Sequence, residues 1–339
     1  MSVRRLRPWR AVLCGAGVLG LAACGGVDTG DAPAEQVAAP AVVVSQANAA
    51  RVATEALQAV AESLASVRAT EGSDAAAVAG VSSRKTLVAK ALAKAAGVTA
   101  QGTQQQTLNC TGGGSVTATL TAAAAGALKP GDTLDFAFKL CKEGAVTTNG
   151  ALNLKLASID QAGAGGTLEV YDTVATNLDQ TVGGVVERQN GAASVSFNDE
   201  LIEPRIPGEL EIRAKSTAAA TERRVNGVSK TTRTLQNLDV FRKDVRDTRT
   251  STSFVSFTAT GNFPTLGDTS FQVSTITAII IPAGGFQPTS GEIQITGANG
   301  SNIIIRIGAD TVLLEIDTNG DGKADALVQR TWAQVFADL

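Results

Sequence analysis

Apolar residues recur at helical spacing in the first third of the chain. Four of them lie three or four positions apart: Leu57, Val60, Leu64 and Val67. This spacing places them on one side of an α-helix and predicts a helix over residues 48–69. A second, alanine-rich helix is predicted over residues 83–96, because Gly97 follows it and glycine often ends helices. Together they make residues 47–97 a segment of two short helices.

From residue 108 the pattern changes to alternation at every second position. Ile293 and Ile295, for example, alternate with Glu292 and Gln294, as in an antiparallel strand with one buried face. Asn-Gly suits a two-residue hairpin turn because both central positions need a positive φ. The dipeptide occurs at Asn149-Gly150, Asn190-Gly191, Asn226-Gly227, Asn299-Gly300 and Asn319-Gly320. The pattern predicts an antiparallel β domain over residues 108–339, whose last four strands form a meander at about 290–332.

The arms on either side of Asn226-Gly227 are long, covering about 208–225 and 228–247. Strands usually span about five or six residues. Arms of this length favour a large antiparallel meander with long hairpins, built as an open barrel or a curved sheet, although a sandwich remains an alternative. The predicted fold class is therefore mainly β (α+β), with the two helices preceding the sheet.

The N-terminus has the features of an export signal. The first ten residues hold four arginines and no acid, and a short apolar run follows. This run is too short to span a bilayer, and the combination predicts a signal peptide over residues 1–23. Its last three residues and the cysteine that follows them, Leu21-Ala22-Ala23-Cys24, resemble the lipobox of bacterial lipoproteins.

This resemblance implies that Cys24 is acylated and becomes the first residue of the mature protein. Several acyl chains on one residue anchor a protein stably to a membrane. In that family an aspartate after the cysteine favours the inner membrane, whereas Gly25 stands here, so the resemblance implies the outer membrane of the bacterial cell envelope. Residues 24–46, rich in Gly, Ala and Pro, are predicted to be a flexible tether.

The C-terminal stretch resembles the end domain of an uncharacterised family of exported, β-rich bacterial lipoproteins. The resemblance rests on the sequence Pro288-Thr-Ser-Gly-Glu-Ile293 and on Trp332 near the end of the chain. It covers only the last part of the chain and implies no activity.

The composition of the chain argues against some classes of function. The net charge is −3 and aromatic residues make up 4% of the chain, and removing residues 1–23 would take away basic residues but no acid. Such a chain lacks the basic face and stacking platforms that bind nucleic acids. It contains no histidine, which removes the commonest general base in enzymes.

These observations predict a membrane-anchored binding or structural module that is not an enzyme. The alternative is a carrier of a lipid or other apolar ligand in an open β-barrel. A hydrolase that uses carboxylates also stays open, because one sequence cannot locate a pair of carboxylates.

Two cysteines, Cys110 and Cys141, remain once the signal peptide and the lipid site are set aside. They flank a predicted strand pair at 116–122 and 132–140, which turns near Pro130-Gly131. An even pair in an oxidising compartment favours a disulfide that closes the open end of this hairpin. Two free buried thiols are the alternative.

The sequence I-D-T-N-G-D-G-K-A-D near the C-terminus suggests a weak calcium site. Its oxygen donors would be the side chains of Asp317, Asn319, Asp321 and Asp325 and the backbone carbonyl of Lys323. The spacing resembles the loops of extracellular calcium modules, but Val328 stands where an EF-hand has its bidentate glutamate. The alternative is a tight hairpin turn at Asn319-Gly320 without a metal.

Overall fold

The computed structural model describes residues 39–68, 102–124, 129–161, 167–199, 209–245, 250–264, 266–282 and 287–337. The predicted signal peptide, Cys24 and the predicted helix at 83–96 lie outside these residues.

Fourteen strands form one antiparallel sheet, and their order in the sheet is their order in the chain. The first seven are β1 (Gly102–Asn109), β2 (Ser115–Ala122), β3 (Thr133–Glu143), β4 (Val146–Gln161), β5 (Thr167–Val182), β6 (Val185–Asp199) and β7 (Glu209–Val225). The others are β8 (Val228–Val245), β9 (Thr250–Phe263), β10 (Gly267–Ile281), β11 (Ser290–Thr296), β12 (Asn302–Ile307), β13 (Thr311–Asp317) and β14 (Ala326–Thr331). Among the described residues β1 and β14 each pair with one strand only, so the sheet is open. The predicted antiparallel meander with long hairpins is confirmed.

Helix α1 (Ala49–Arg68) confirms the helix predicted over residues 48–69. Its start is fixed by a reciprocal cap, in which the N–H of Ser45 donates to Asn48 Oδ1 at 2.8 Å and the N–H of Asn48 donates to Ser45 Oγ at 3.3 Å. The buried side of α1 lies against β7, β8, β9, β12 and β13. In the part of the chain that the structure describes, no helix has the length and apolar character needed to cross a bilayer.

A short second helix, α2 (Trp332–Ala337), follows β14 directly. The Trp332 ring is buried, and its Nε1–H donates to the carbonyl of Gly308 at 3.2 Å. A buried indole needs such an acceptor, so this bond ties the end of the chain to the turn between β12 and β13.

The predicted tether at 24–46 is wrong over its last residues. The N–H of Val42 donates to the carbonyl of Ser270 at 2.8 Å, and the N–H of Ser270 donates to the carbonyl of Pro40 at 2.9 Å. Val42 and Val44 are buried in the same apolar cluster as α1. The backbone of residues 40–42 therefore pairs with β10, while the side chains of Val42 and Val44 pack into the core. A flexible tether can extend only as far as residue 38.

One face of the sheet carries the apolar side chains. Residues paired across antiparallel strands lie on the same side, and the pairs Leu156–Tyr171, Tyr171–Val195 and Val195–Ala214 continue this face from β4 to β7. Two buried clusters lie on it, one over β2–β5 around Phe136 and one over β6–β14 with α1.

Three of the five Asn-Gly dipeptides lie in connections between strands, and one of these three forms the predicted two-residue turn. Asn226-Gly227 is that turn, and both of its residues have positive φ between β7 and β8. Asn299-Gly300 also has positive φ at both residues but lies within the longer connection 297–301, and Asn319-Gly320 lies within the loop 318–325, where Gly320 but not Asn319 has a positive φ. Asn149-Gly150 and Asn190-Gly191 lie inside β4 and β6 instead, where the register shifts by a bulge. The prediction of turns there is wrong.

The bulges, like the turns, depend on a glycine that adopts a positive φ. Gly150 has φ 106°, and a Cβ there would lie 2.1 Å from the carbonyl oxygen of Asn177 on β5. The preceding Asn149 accepts a hydrogen bond from the N–H of Leu140 on β3 at 3.4 Å. A bulge bends its strand and increases the local twist, so these dipeptides curve the long strands of the sheet.

Candidate functional site

A cavity of about 370 Å³ lies on the apolar face between the two buried clusters. Strands β3–β8 and the C-terminal half of α1 line it. Its large apolar lining residues are Leu134, Leu152, Leu154, Leu156, Leu178, Val195, Leu235 and Leu238. Small-molecule sites in proteins have about 300–1,000 Å³ and a mainly apolar lining with a few polar groups, so both size and lining suit a small ligand.

Small side chains in the middle of the sheet create this space. Gly191 and Ala193 on β6 and Ala219 on β7 line the cavity where larger residues would fill it. The register also shifts here, between Ala175 and Leu178 on β5 and beyond Gly191 on β6. Because bulges bend strands, the cavity follows the line along which the strands curve.

One end of the cavity is polar and is formed by α1 and β8. Arg233 on β8 is 1% exposed and its Nη2 lies 3.1 Å from Oε1 of Glu62 on α1. Its Nη1–H donates to the backbone carbonyl of Glu55 at 3.4 Å, and its guanidinium carbon lies 6.0 Å from the ring centroid of Phe263. This buried ion pair fixes the helix to the sheet beside the cavity.

Burial raises the pKa of Glu62 from 4.5 to about 7. Arg233 lowers this pKa, Glu187 on β6 raises it, and Arg223 on β7 and a hydrogen bond with Gln58 lower it. Desolvation is the largest of these effects because the Glu62 side chain is only 17% exposed. The carboxyl therefore changes charge near neutral pH.

Other carboxylates in the lining are held by partners close by. Asp132 accepts hydrogen bonds from the N–H groups of Ala123 and Lys129 at 2.9 and 2.8 Å. The Tyr171 hydroxyl donates to Glu169 at 2.8 Å, and burial together with this bond raises the pKa of Tyr171. These carboxylates therefore serve as acceptors that fix neighbouring groups.

The two cysteines lie away from the cavity, at the far end of the β2–β3 hairpin. A disulfide joins Cys110 to Cys141, with 5.4 Å between their Cα atoms. Glu143 lies beside them and accepts hydrogen bonds from the N–H and hydroxyl of Thr111 at 2.9 and 2.6 Å. Within the described residues this is the one place where three potential ligand atoms of His, Cys, Asp or Glu lie within 4.8 Å of one another, but the two sulfurs are bonded to each other.

The predicted calcium loop connects β13 to β14, and its side chains bind its own backbone. Asp317 is 3% exposed. Its Oδ1 accepts from the N–H of Gly320 at 2.7 Å, and its Oδ2 accepts from the N–H of Gly322 at 2.9 Å. Asp325 accepts from the N–H and hydroxyl of Thr318 at 2.8 and 2.5 Å.

The remaining predicted ligands form local turns of the same kind. Asn319 Oδ1 accepts from the N–H of Asp321 at 2.8 Å, and Asp321 Oδ1 accepts from the N–H of Lys323 at 2.8 Å. Desolvation would raise the pKa of Asp317, but the hydrogen bonds from Gly322, Gly320, Asn302 and Asn319 lower it below its ordinary value. This geometry accounts for the turn, and the weak calcium site stays a prediction.

Replacing Asp317 by alanine should lower the melting temperature by about 2–6 °C, because the backbone N–H groups of Gly320 and Gly322 would lose their charged acceptor. The pKa of Asp317 is lower in the folded protein than its ordinary value of 3.8. Its contribution is therefore complete above that pH and is lost as the pH falls below it. Thermal unfolding at pH 7 and at pH 3 measures both effects, and equal losses at the two pH values would contradict this account.

The same preparation tests the calcium prediction. Millimolar calcium should raise the melting temperature of the wild type, since sites of this class have dissociation constants of about 10⁻⁴–10⁻³ M. Asp321→Asn is the matched control, because an amide oxygen can still accept the Lys323 N–H while the charge is lost. If calcium leaves the wild type unchanged, the loop is a turn alone.

The sequence patterns did not predict the cavity, although one of them is consistent with it. Residues 190–196 and 216–221 are runs of small side chains in the middle of long strands. Such runs leave room on a buried face, but the same composition suits an exposed strand. Glu62 and Arg233 are 171 positions apart along the chain, and no local pattern connects them.

Comparison with protein-family models, with curated proteins and with solved structures gave no match for this chain. The function of this protein is therefore inferred from the cavity and its charged end.

Proposed function

We propose that this protein is an exported lipoprotein of the bacterial cell envelope that binds a small apolar or amphiphilic molecule in the cavity between α1 and the sheet. The cavity of about 370 Å³, with its leucine-rich lining and one polar end, is the observation that carries this proposal. Acyl chains on Cys24 hold the protein on the outer membrane. The ligand site then stands beside a source of lipids.

The protein acts by binding and not by catalysis. The chain has no histidine, and Asp132, Glu169 and Glu222 in the cavity wall are engaged as acceptors or in ion pairs. Glu222, for example, lies 2.6 Å from the guanidinium of Arg224. These hydrogen bonds and ion pairs hold the side chains of the cavity wall in place. A fixed cavity favours a ligand-binding role over that of a structural module without a ligand.

Filling the cavity tests the ligand site. N-phenyl-naphthylamine, a fluorescent apolar probe, should bind the wild type with a stoichiometry near one to one. Ala219→Phe should abolish this binding because Ala219 lines the cavity. Mass spectrometry of an organic extract of the purified protein should show a noncovalent lipid in the wild type alone.

Ala218→Phe is the matched control, since Ala218 is the exposed neighbour on the same strand. It should keep both the probe and the lipid. Probe binding that survives in Ala219→Phe, or a wild type that binds neither molecule, would contradict a ligand site in this cavity.

Lipid attachment is tested separately. Cells grown with a palmitate analogue should label the protein, and Cys24→Ala should lose the label and accumulate the uncleaved precursor. Label that persists in Cys24→Ala would place the acyl chains elsewhere.

A further inference from the structure

The polar end of the cavity brings together charged groups from four elements. Glu62 comes from α1, Glu187 from β6, Arg223 from β7 and Arg233 from β8, and all four line the cavity. A ligand with a long apolar part over the leucines would place its head among these groups. Their hydrogen bonds therefore decide which head can bind.

Arg233 is already engaged. One guanidinium nitrogen binds Glu62 Oε1 at 3.1 Å, and another donates to the backbone carbonyl of Glu55 at 3.4 Å. The group also lies against the Phe263 ring and is almost fully buried. An anionic head would have to compete with these contacts for the donors of Arg233.

Glu62 has an acceptor left over. Its Oε1 faces Arg233, while its Oε2 is buried and has no hydrogen-bond partner. A buried acceptor without a partner costs free energy that a donor would recover. A ligand that supplies an O–H or N–H at this oxygen would therefore bind more tightly than one that supplies a further acceptor.

Glu187 adds a second negative charge on the same side of the cavity. Its charge and that of Arg223 both act on Glu62, in opposite directions. Gln58 on the preceding turn of α1 acts on the same carboxyl and, like the two arginines, lowers its pKa. The neighbourhood of the unpartnered oxygen thus favours a donor and disfavours an anion.

We propose that the ligand is an amphiphile whose head donates hydrogen bonds, an ammonium or a hydroxyl group, and that Glu62 is the residue that receives it. At the unpartnered oxygen of Glu62, the carboxylates of Glu62 and Glu187 disfavour a carboxylate or phosphate head. This inference rests on the proposed function, because it assigns a head group to the ligand of the same cavity.

The proposal is tested by displacement of bound N-phenyl-naphthylamine from the full-length protein at pH 8. Dodecylamine and dodecanol should each displace the probe at concentrations about tenfold or more below those that dodecanoate needs, since hydrogen bonds to charged groups are stronger than neutral ones. Lowering the pH to 5.5 should weaken dodecylamine, because protonated Glu62 no longer attracts a cation. Dodecanol should change little.

Glu62→Gln should remove most of the advantage of dodecylamine and its dependence on pH. Glu187→Gln is a second variant that should reduce the same advantage in case Glu62→Gln fails to fold. Glu211→Gln, a surface glutamate paired with Lys243 outside the cavity, should change nothing.

The possible outcomes separate the two proposals. Dodecanoate that binds as tightly as dodecylamine, or an advantage that survives in both glutamine variants, overturns the assignment of the head group and leaves the cavity as a ligand site. Failure of all three compounds and of the probe itself overturns the proposed function as well.

Discussion

Replacing Arg233 by methionine should lower the free energy of unfolding by about 3–5 kcal/mol at pH 8. Methionine keeps much of the volume beside Phe263 but removes the only positive charge within hydrogen-bonding distance of Glu62 among the described residues. The buried Glu62 carboxylate would then lose its direct partner and keep only the weaker effect of the Arg223 charge. Losing the partner costs more than the pair contributes when it is intact. Urea unfolding followed by circular dichroism measures the loss.

The loss of unfolding free energy in Arg233→Met should grow as the pH rises, because of the pKa of Glu62. That pKa is about 7 in the folded protein against 4.5 as the ordinary value. The folded state therefore holds this proton more tightly, and the stability that this group contributes is lost as the pH rises from about 4.5 to 7. Without Arg233 the ionised form costs more still, so Arg233→Met should differ least from the wild type near pH 5.

Two further variants show whether the charge is responsible. Arg233→Met combined with Glu62→Leu should recover much of the stability, because an apolar pair can replace a buried ion pair at little cost. Arg213→Met breaks an exposed pair with Asp239, where the arginine side chain is 49% exposed, and should cost less than about 1 kcal/mol. A deficit that is the same at pH 5 and pH 8 would show that lost packing, and not charge, is responsible.

Removing the disulfide should have a comparable effect. Cys110→Ala together with Cys141→Ala should lower the free energy of unfolding by about 3–4 kcal/mol, because the bond closes a loop with a sequence separation of 31 and restricts the unfolded chain. Alanine suits these positions because both cysteines are buried. Unfolding of the oxidised wild type, the reduced wild type and the double variant provides the comparison.

The reduced wild type should match the double variant to within the small packing loss of two sulfur atoms. Intact mass after alkylation without reductant should show no modified thiol in the wild type. If both cysteines react with the alkylating agent, the exported protein does not form this bond. Equal stability of all three forms would show that the bond is present but does not restrict the unfolded chain.

The sheet was predictable because its signals are local. Alternation of isoleucine with polar residues in β11 marks one buried face over neighbouring positions, and the spacing of Leu57, Val60 and Leu64 does the same for α1. The long arms of β7 and β8 could be read in the same way. Each of these patterns has a physical cause within one element.

The errors arose where one local signal has two structural uses. Asn-Gly allows a positive φ, and whether it makes a turn or a bulge depends on whether the chain continues to pair on both sides. At Asn190-Gly191 the strand pairs with β5 on one side and β7 on the other. Nothing in the residues next to the dipeptide indicates that both partners are present. The cavity was hidden for a related reason, because it exists only where α1 and six strands meet.

The attachment of residues 40–42 to β10 also determines how the protein carries mechanical load. In the proposed lipid-anchored protein, tension between the membrane and the sheet enters through the N-terminal segment. Residues 40–42 run parallel to β10 at Ser270, so a pull along them strains their hydrogen bonds together in shear. Forced unfolding depends on the rate at which such contacts break. This clamp precedes α1 in the chain and keeps tension away from the helix that forms the cavity wall.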